Sequence, residues 1–281
     1  MAMTFDAAAH GIGHMHRSGE RATLTEAVDA QATGIPVQEA EQNRNWGVYF
    51  NTGWQSRHVH YGVDETGPSG AYVNEAGVQY GDFTVNVWNG FGLGNDLVEW
   101  DFTAAYNIDA GPVFIMPGYN FRYVPSQNEG GHSHGGHGEH GHEEHGHKEE
   151  GGGHVHNEFG NELLLAVGTR ELPYVTPSAV FIWDLSNLPG AFLEFRLDGD
   201  VPVYKDIVSL QPYALLGLNF GYNTTDVYGL NSFQFGLQST VAINEYVSAF
   251  AGVNYSVALE ALDAIDQDNV FWVNVGLSFA Y

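Results

Sequence analysis

The chain has 281 residues, no cysteine, and 34 acidic against 9 basic side chains, for a formal net charge of -25. So large an acidic excess leaves too few Lys and Arg to neutralise phosphates, which excludes nucleic acid as a partner and makes cations the natural counterparts. Disulfides and thiolate metal sites are excluded as well, in keeping with an oxidising compartment, and no run of 18 or more apolar residues is present to form a transmembrane helix.

Residues 1–44 are polar, rich in Ala and Glu, and carry neither strand alternation nor a helical stripe. They read as an N-terminal periplasmic extension, free to plug a lumen or to meet a partner protein. The start, MAMTFDAAAHGIGHMH, lacks the basic and apolar regions of a signal peptide, so an export signal would already have been removed. His10, His14 and His16 offer a second, weaker set of imidazoles there.

From Trp46 onward the texture changes to period-two alternation, the signature of strands with two unlike faces. Strands are expected at 46–56, 70–80, 82–90, 97–108, 112–124, 161–170, 174–184, 190–197, 207–221, 228–242, 245–257 and 269–281. In LVEWDFTAAYNI, Val98, Trp100, Phe102, Ala104, Tyr106 and Ile108 oppose Glu99, Asp101, Thr103 and Asn107. At the C-terminus Phe271, Val273, Val275, Leu277, Phe279 and Tyr281 oppose Asn274, Gly276, Ser278 and Ala280, with Trp272 as the exception. About twelve strands is an even number, as bacterial outer-membrane barrels require. The expected fold is therefore all-β: a transmembrane antiparallel β-barrel over 45–281 with a polar N-terminal extension.

Three features turn the apolar faces toward lipid. A barrel of about twelve strands is too wide for apolar side chains to fill. Aromatic residues (Trp46, Trp54, Tyr80, Trp183, Tyr222, Tyr246, Tyr281) sit near strand ends, where interfacial girdles belong. The connections YGD, NIDAG, REL and INE are tight and the alternate ones mostly longer, DGDVPVYKD being the exception on the tight side. With both barrel ends periplasmic, the long connection 125–160 faces outside.

That connection contains HSHGGHGEHGHEEHGHKEEGGGHVH, nine histidines in residues 132–156. His132, His134, His137, His140, His142, His145, His147, His154 and His156 alternate with Glu139, Glu143, Glu144, Glu149 and Glu150. Neutral imidazole ligates Zn, Cu, Ni and Co, and overlapping ligand sets imply labile, multi-site capture of divalent transition metal. The plainer alternative is a hydrated surface loop. His58 and His60, expected at the outer end of the first strand with both rings on one side, add a metal-holding pair or simply an interfacial one. Inside the barrel, Glu99, Asp101, Glu162 and Glu194, with Asp184, should face the lumen, countered by Arg122, Arg170 and Arg196. Such acidic groups favour cations in a pore, or pair to keep it rigid.

The closing segment VNVGLSFAY resembles the C-terminal signal that the barrel-assembly machinery recognises. The runs VQYGDFTVNVWNG, VEWDFTAAYNIDAGPVFIMPGYNFRYVP, NELLLAVGT and PSAVFIWDL resemble a family of small porins of Gram-negative bacteria. The resemblance covers about residues 46–281. It implies residence in the cell outer membrane, a lipid-bilayer environment and a passive channel role, and it brings no catalytic residues. The histidine loop lies outside the family pattern.

No enzyme signature is present: no Ser and His pair sits on a rigid strand, and GFGLGND precedes a strand and not a helix. The expected function is a porin-like channel for small solutes and cations whose external loop captures metal for uptake. The rival readings are a non-transporting metal-binding or adhesive surface protein with a closed lumen, and a soluble periplasmic metal-binding barrel. Oligomeric state is left open.

Overall fold

The computed structural model describes residues 46–94, 97–125, 158–170, 172–186, 190–205, 207–222 and 227–281. The N-terminal extension and the histidine loop, and with them the nine loop histidines and His10, His14 and His16, lie outside the described residues.

Twelve antiparallel strands close into a barrel. They are β1 (Trp46–Gln55), β2 (Ala71–Tyr80), β3 (Phe83–Gly92), β4 (Val98–Tyr106, continued by Ile108–Ala110), β5 (Val113–Val124), β6 (Glu158–Thr169), β7 (Val175–Asp184), β8 (Ala191–Gly199, followed by Val201–Tyr204), β9 (Val208–Phe220), β10 (Tyr228–Ala242), β11 (Val247–Ala258) and β12 (Val270–Ala280). Each strand pairs with its neighbours in sequence, and β1 closes on β12 with Tyr49 opposite Ala280 and Gln55 opposite Asn274. Closure removes every free sheet edge, which a strand protein in hydrocarbon requires because unpaired backbone groups cannot be hydrated there. The spans agree with the expected strands to within about three residues, the largest gap being at the start of β6.

Alternation decides which side chain goes where. On β12, Phe271, Val275, Leu277, Phe279 and Tyr281 are exposed outward, whereas Trp272, Asn274 and Ser278 are buried inward. On β4, Phe102 and Tyr106 face out while Glu99, Asp101 and Thr103 face in. The outer wall is thus apolar around the ring, with exposed aromatics at both rims: Trp46, Tyr80, Tyr106, Tyr174, Tyr204, Tyr246 and Tyr281 at the short-turn end, and Tyr72, Phe91, Phe159, Trp183, Phe220 and Tyr228 at the other. Such a surface is stable only against lipid. No helix among the described residues is long and apolar enough to cross a membrane.

The inner wall is a hydrogen-bonded lattice. Gln238 Nε2 donates to Gln211 Oε1 at 3.2 Å, Asn274 Nδ2 to Gln238 Oε1 at 3.3 Å, Asn254 Nδ2 to Asn274 Oδ1 at 2.9 Å, and Ser278 Oγ to Asn51 Oδ1 at 2.8 Å. Glu75 is buried but accepts from Tyr49 Oη, Asn51 Nδ2 and Asn86 Nδ2 at 2.8, 3.0 and 2.6 Å, which offsets the cost of removing a carboxylate from water. One stretch of the inner wall is apolar: Ala105, Phe114, Met116, Leu164, Ala166, Val180, Ile182 and Phe192 form a continuous buried cluster. Its partner is a loop side chain, Tyr61.

Candidate functional site

The connection between β1 and β2, residues 56–70, turns inward and crosses the mouth of the barrel at the long-loop end. Its middle is a small hairpin, Val59–His60 paired with Val63–Asp64, closed by Tyr61 and Gly62. Those two residues have φ of 45° and 85°, the positive pair of a type I′ turn. Positive φ costs a non-glycine residue on the order of 1 kcal/mol. What the hairpin buries outweighs that. Tyr61 packs against Phe192 and Tyr222 at ring distances of 4.7 and 5.0 Å, and Val59 lies fully buried beside Val270 and Trp272. Each fully buried apolar side chain contributes about 1.5–3 kcal/mol. Trp272, which breaks the alternation of β12, is therefore, with Val270, the floor on which this strap rests.

Polar contacts fix the rest of the strap. Asn231 Nδ2 donates to the Tyr61 carbonyl at 2.6 Å, the His58 amide to Thr66 Oγ1 at 2.7 Å, and the Glu65 amide to the His58 carbonyl at 2.8 Å. Arg57 pairs with Asp64, whose Oδ1 also accepts from the amides of Gly67 and Thr66.

Beneath the strap lies the charged cluster of β4, β5 and β6. Arg122 Nε approaches Glu99 Oε1 at 2.7 Å and Asp101 Oδ1 at 3.5 Å. Asn120 Nδ2 donates to Asp101 Oδ1 and to Glu162 Oε2, both at 3.1 Å, and Tyr222 donates its hydroxyl to Glu162 Oε1. Burial and the neighbouring Glu162 carboxylate hold the Tyr222 hydroxyl well above its ordinary value, so it stays a donor. Arg122 also reaches up to the strap, its Nη2 lying 2.9 Å from His60 Nε2. The same Nη2 lies 3.2 Å from His60 Nδ1, which in turn faces Glu65 Oε1 at 3.4 Å, so the ring sits between the guanidinium and the carboxylate.

His58 is directed elsewhere. Its ring stacks on Trp88 at 5.3 Å, and its Nε2 faces Glu65 Oε2 at 3.4 Å and Glu99 Oε2 at 3.9 Å. Burial pushes the imidazole toward its neutral form against the pull of Glu65 and Glu99. Glu65 would itself be raised by burial, but its hydrogen bond with His60 and the charges of His60, His58 and Arg122 bring it down to about 2. His58, Glu65 and Glu99 form the one group among the described residues in which three metal-capable atoms converge, all within 4.8 Å of one another.

The residues expected from the sequence fall into place unevenly. Glu99, Asp101, Glu162, Glu194 and Arg196 are buried on the inner wall, and Arg122 is nearly so. Arg196 does not join the cluster under the strap; it binds Asp198 at 2.7 Å and lies 3.6 Å from Glu194 on β8. Arg170 sits past the end of β6 over the Phe114 ring at 4.6 Å, and Asp184 is half-buried at the long-loop end of β7, accepting from the Ser186 amide. His58 and His60 are on the inward strap and not on β1, which ends at Gln55. Tyr222, expected among the rim aromatics, turns inward instead because Glu162 and Tyr61 give its hydroxyl and ring partners there. Glu65, Tyr61 and Trp88 were missed. The YG pair between two short alternating runs, HVH and VDE, is the hairpin signal that could have found the strap.

No protein-family model matches the chain, and no curated protein matches it. Solved structures do. The KdgM porin in complex with disordered oligogalacturonate is 7% identical with a TM-score of 0.50, over 84% of this chain and 99% of that one. The fold is that of a small outer-membrane porin. The NanC porin likewise superposes with a TM-score of 0.50 at 8% identity, covering 83% of this chain and 98% of its own. At such identities the likeness lies in the barrel, and no side chain can be carried across from these porins.

Proposed function

We infer that this barrel is a passive outer-membrane channel for small solutes, biased toward cations, whose external histidine loop collects divalent transition metal for uptake. The carrying observation is the sign of the inner wall. Glu75, Glu99, Asp101, Glu162, Glu194 and Asp198 are buried there, against the guanidiniums of Arg122 and Arg196. Fixed negative charge inside a pore lowers the energy of entering cations. The long-loop end is read as the external one, because tight turns are periplasmic in this architecture. On that reading the connection 125–160 emerges from β5 at the mouth, where captured ions would be concentrated.

A second reading, a closed surface protein that binds metal or a host molecule without transport, draws support from the strap across the mouth. Zinc flux separates the two. In proteoliposomes holding a zinc-sensitive dye, the intact protein is expected to admit zinc, and a variant lacking residues 132–156 to admit it several-fold more slowly at micromolar concentrations. Equal flux with and without the loop removes the capture role, and no flux in either favours the closed barrel.

A further inference from the structure

We propose that His58 and Glu65 of the strap and Glu99 of β4 form a binding site for one divalent transition-metal ion, which ties the strap to the barrel wall. The inference rests on the channel reading only for what the tie would accomplish; the site itself does not need conduction.

The case is geometric. Each carboxylate presents one oxygen to the same point and the other to a different neighbour. Glu65 Oε1 is met by His60 Nδ1 at 3.4 Å and Glu99 Oε1 by Arg122 Nε at 2.7 Å, whereas both Oε2 atoms face His58 Nε2. Ligands held at about 2.0–2.2 Å around a tetrahedral ion stand roughly 3.3–3.5 Å apart. The 3.4 Å spacing of His58 to Glu65 falls in that range, and the 3.9 Å spacing to Glu99 is within a small side-chain adjustment of it.

The imidazole supplies the second observation. It is 1% exposed, so its polar atoms draw nothing from water. Its Nε2 contacts are longer than the 2.7–3.2 Å of ordinary hydrogen bonds. A buried neutral ring aimed at two carboxylate oxygens without a close bond to either has what a metal ion needs. Charge agrees: Glu65, Glu99, Asp101 and Glu162 gather here around Arg122, and a divalent ion would offset the remaining excess.

Each neighbour then has a role. Arg122 and His60 hold the outer oxygens and so orient the inner ones, and Trp88 fixes the plane of the His58 ring. His60 is a positioning residue and not a ligand, because its ring faces Arg122 and Glu65 and lies outside the converging set of His58, Glu65 and Glu99. One nitrogen and two oxygens suit zinc, with water completing the shell. Two ligands come from the strap and one from β4, so occupancy would pull on docking directly.

Hydrogen exchange on the full-length protein tests this, because it reads the strap alone and is blind to zinc held by the histidine loop. Saturating zinc is expected to slow exchange of the backbone amides in 56–70 by about ten-fold or more, as for any ligand that binds only the docked form at ten times its dissociation constant. The effect should vanish in H58A and in E65Q, the latter a half-exposed, nearly isosteric change that spares the fold. It should weaken several-fold in H60Q. No zinc effect on 56–70 in the native sequence, or equal protection in H58A and E65Q, overturns the site. If zinc protects the strap yet no flux is seen in proteoliposomes, the site stands and the channel reading fails.

Discussion

Gly62 is fixed by the turn at the tip of the strap. It takes φ of 85°, and a Cβ there would meet Leu262 Cδ1 and Ser232 Oγ at 2.8 Å, so both backbone and space exclude a side chain. Gly62→Ala should therefore lift the hairpin off β10 and the short helix α1 (Glu260–Asp263) while leaving the barrel closed. The expected outcome is unchanged heat-modifiable gel mobility with several-fold faster cleavage after Arg57 by an Arg-specific protease; cleavage at the native rate would refute this account of the turn. The same scale marks the limit of what the sequence discloses. Glu99 and Asp101 were legible as lumenal because they alternate with Trp100 and Phe102, and strand geometry allows one answer. That His58 meets Glu65 and Glu99 and His60 meets Arg122 was not legible: Glu65 is seven residues from His58 but is brought to it by the hairpin turn, and Glu99 and Arg122 lie 40 or more residues away, so no local period marks these pairings.

The strap is the element whose behaviour depends on protons. His58 is buried with Glu65, Glu99, His60 and Arg122 around it, and its docked form is held below its ordinary value by burial. Docking thus leaves His58 with fewer protons than the undocked strap would bind. The stability it contributes is full above about pH 6.5 and declines as pH falls below that. Glu65, brought down to about 2 by His60, His58 and Arg122, acts in the same direction: its contribution is complete above its ordinary value of 4.5 and is lost as pH falls toward 2. Acid should release the strap. Methyl resonances of Val59, which packs on Val270 and Trp272, are expected to move toward solvent-exposed positions between pH 7 and pH 4; constant shifts, or tighter docking in acid, would contradict these signs. Among elements, strands were legible to within about three residues because their period is two, whereas the strap was not: His58 and His60 were expected at the outer end of the first strand. The strap's hairpin is only two residues to an arm, too short for any alternation to show, and its stability comes from Trp272 and Phe192 on strands far away in sequence.

At the scale of the whole molecule, one physical asymmetry organises everything: apolar faces outward to lipid, carboxylate-rich polar faces inward, and a strap drawn across the mouth by that inner wall. Fold and orientation were legible because an apolar band rimmed by aromatics, on an even number of strands with alternating loop lengths, has only one stable setting. Whether ions pass was not, because the bore is set by how far the strap fills it. The decisive measurement is single-channel recording of the purified protein in a planar bilayer under a salt gradient. The account predicts discrete steps whose reversal potential shows preference for cations, set by Glu99, Asp101, Glu162 and Glu194 against Arg122 and Arg196. A silent bilayer, or a reversal potential of the anion-selective sign, would contradict it.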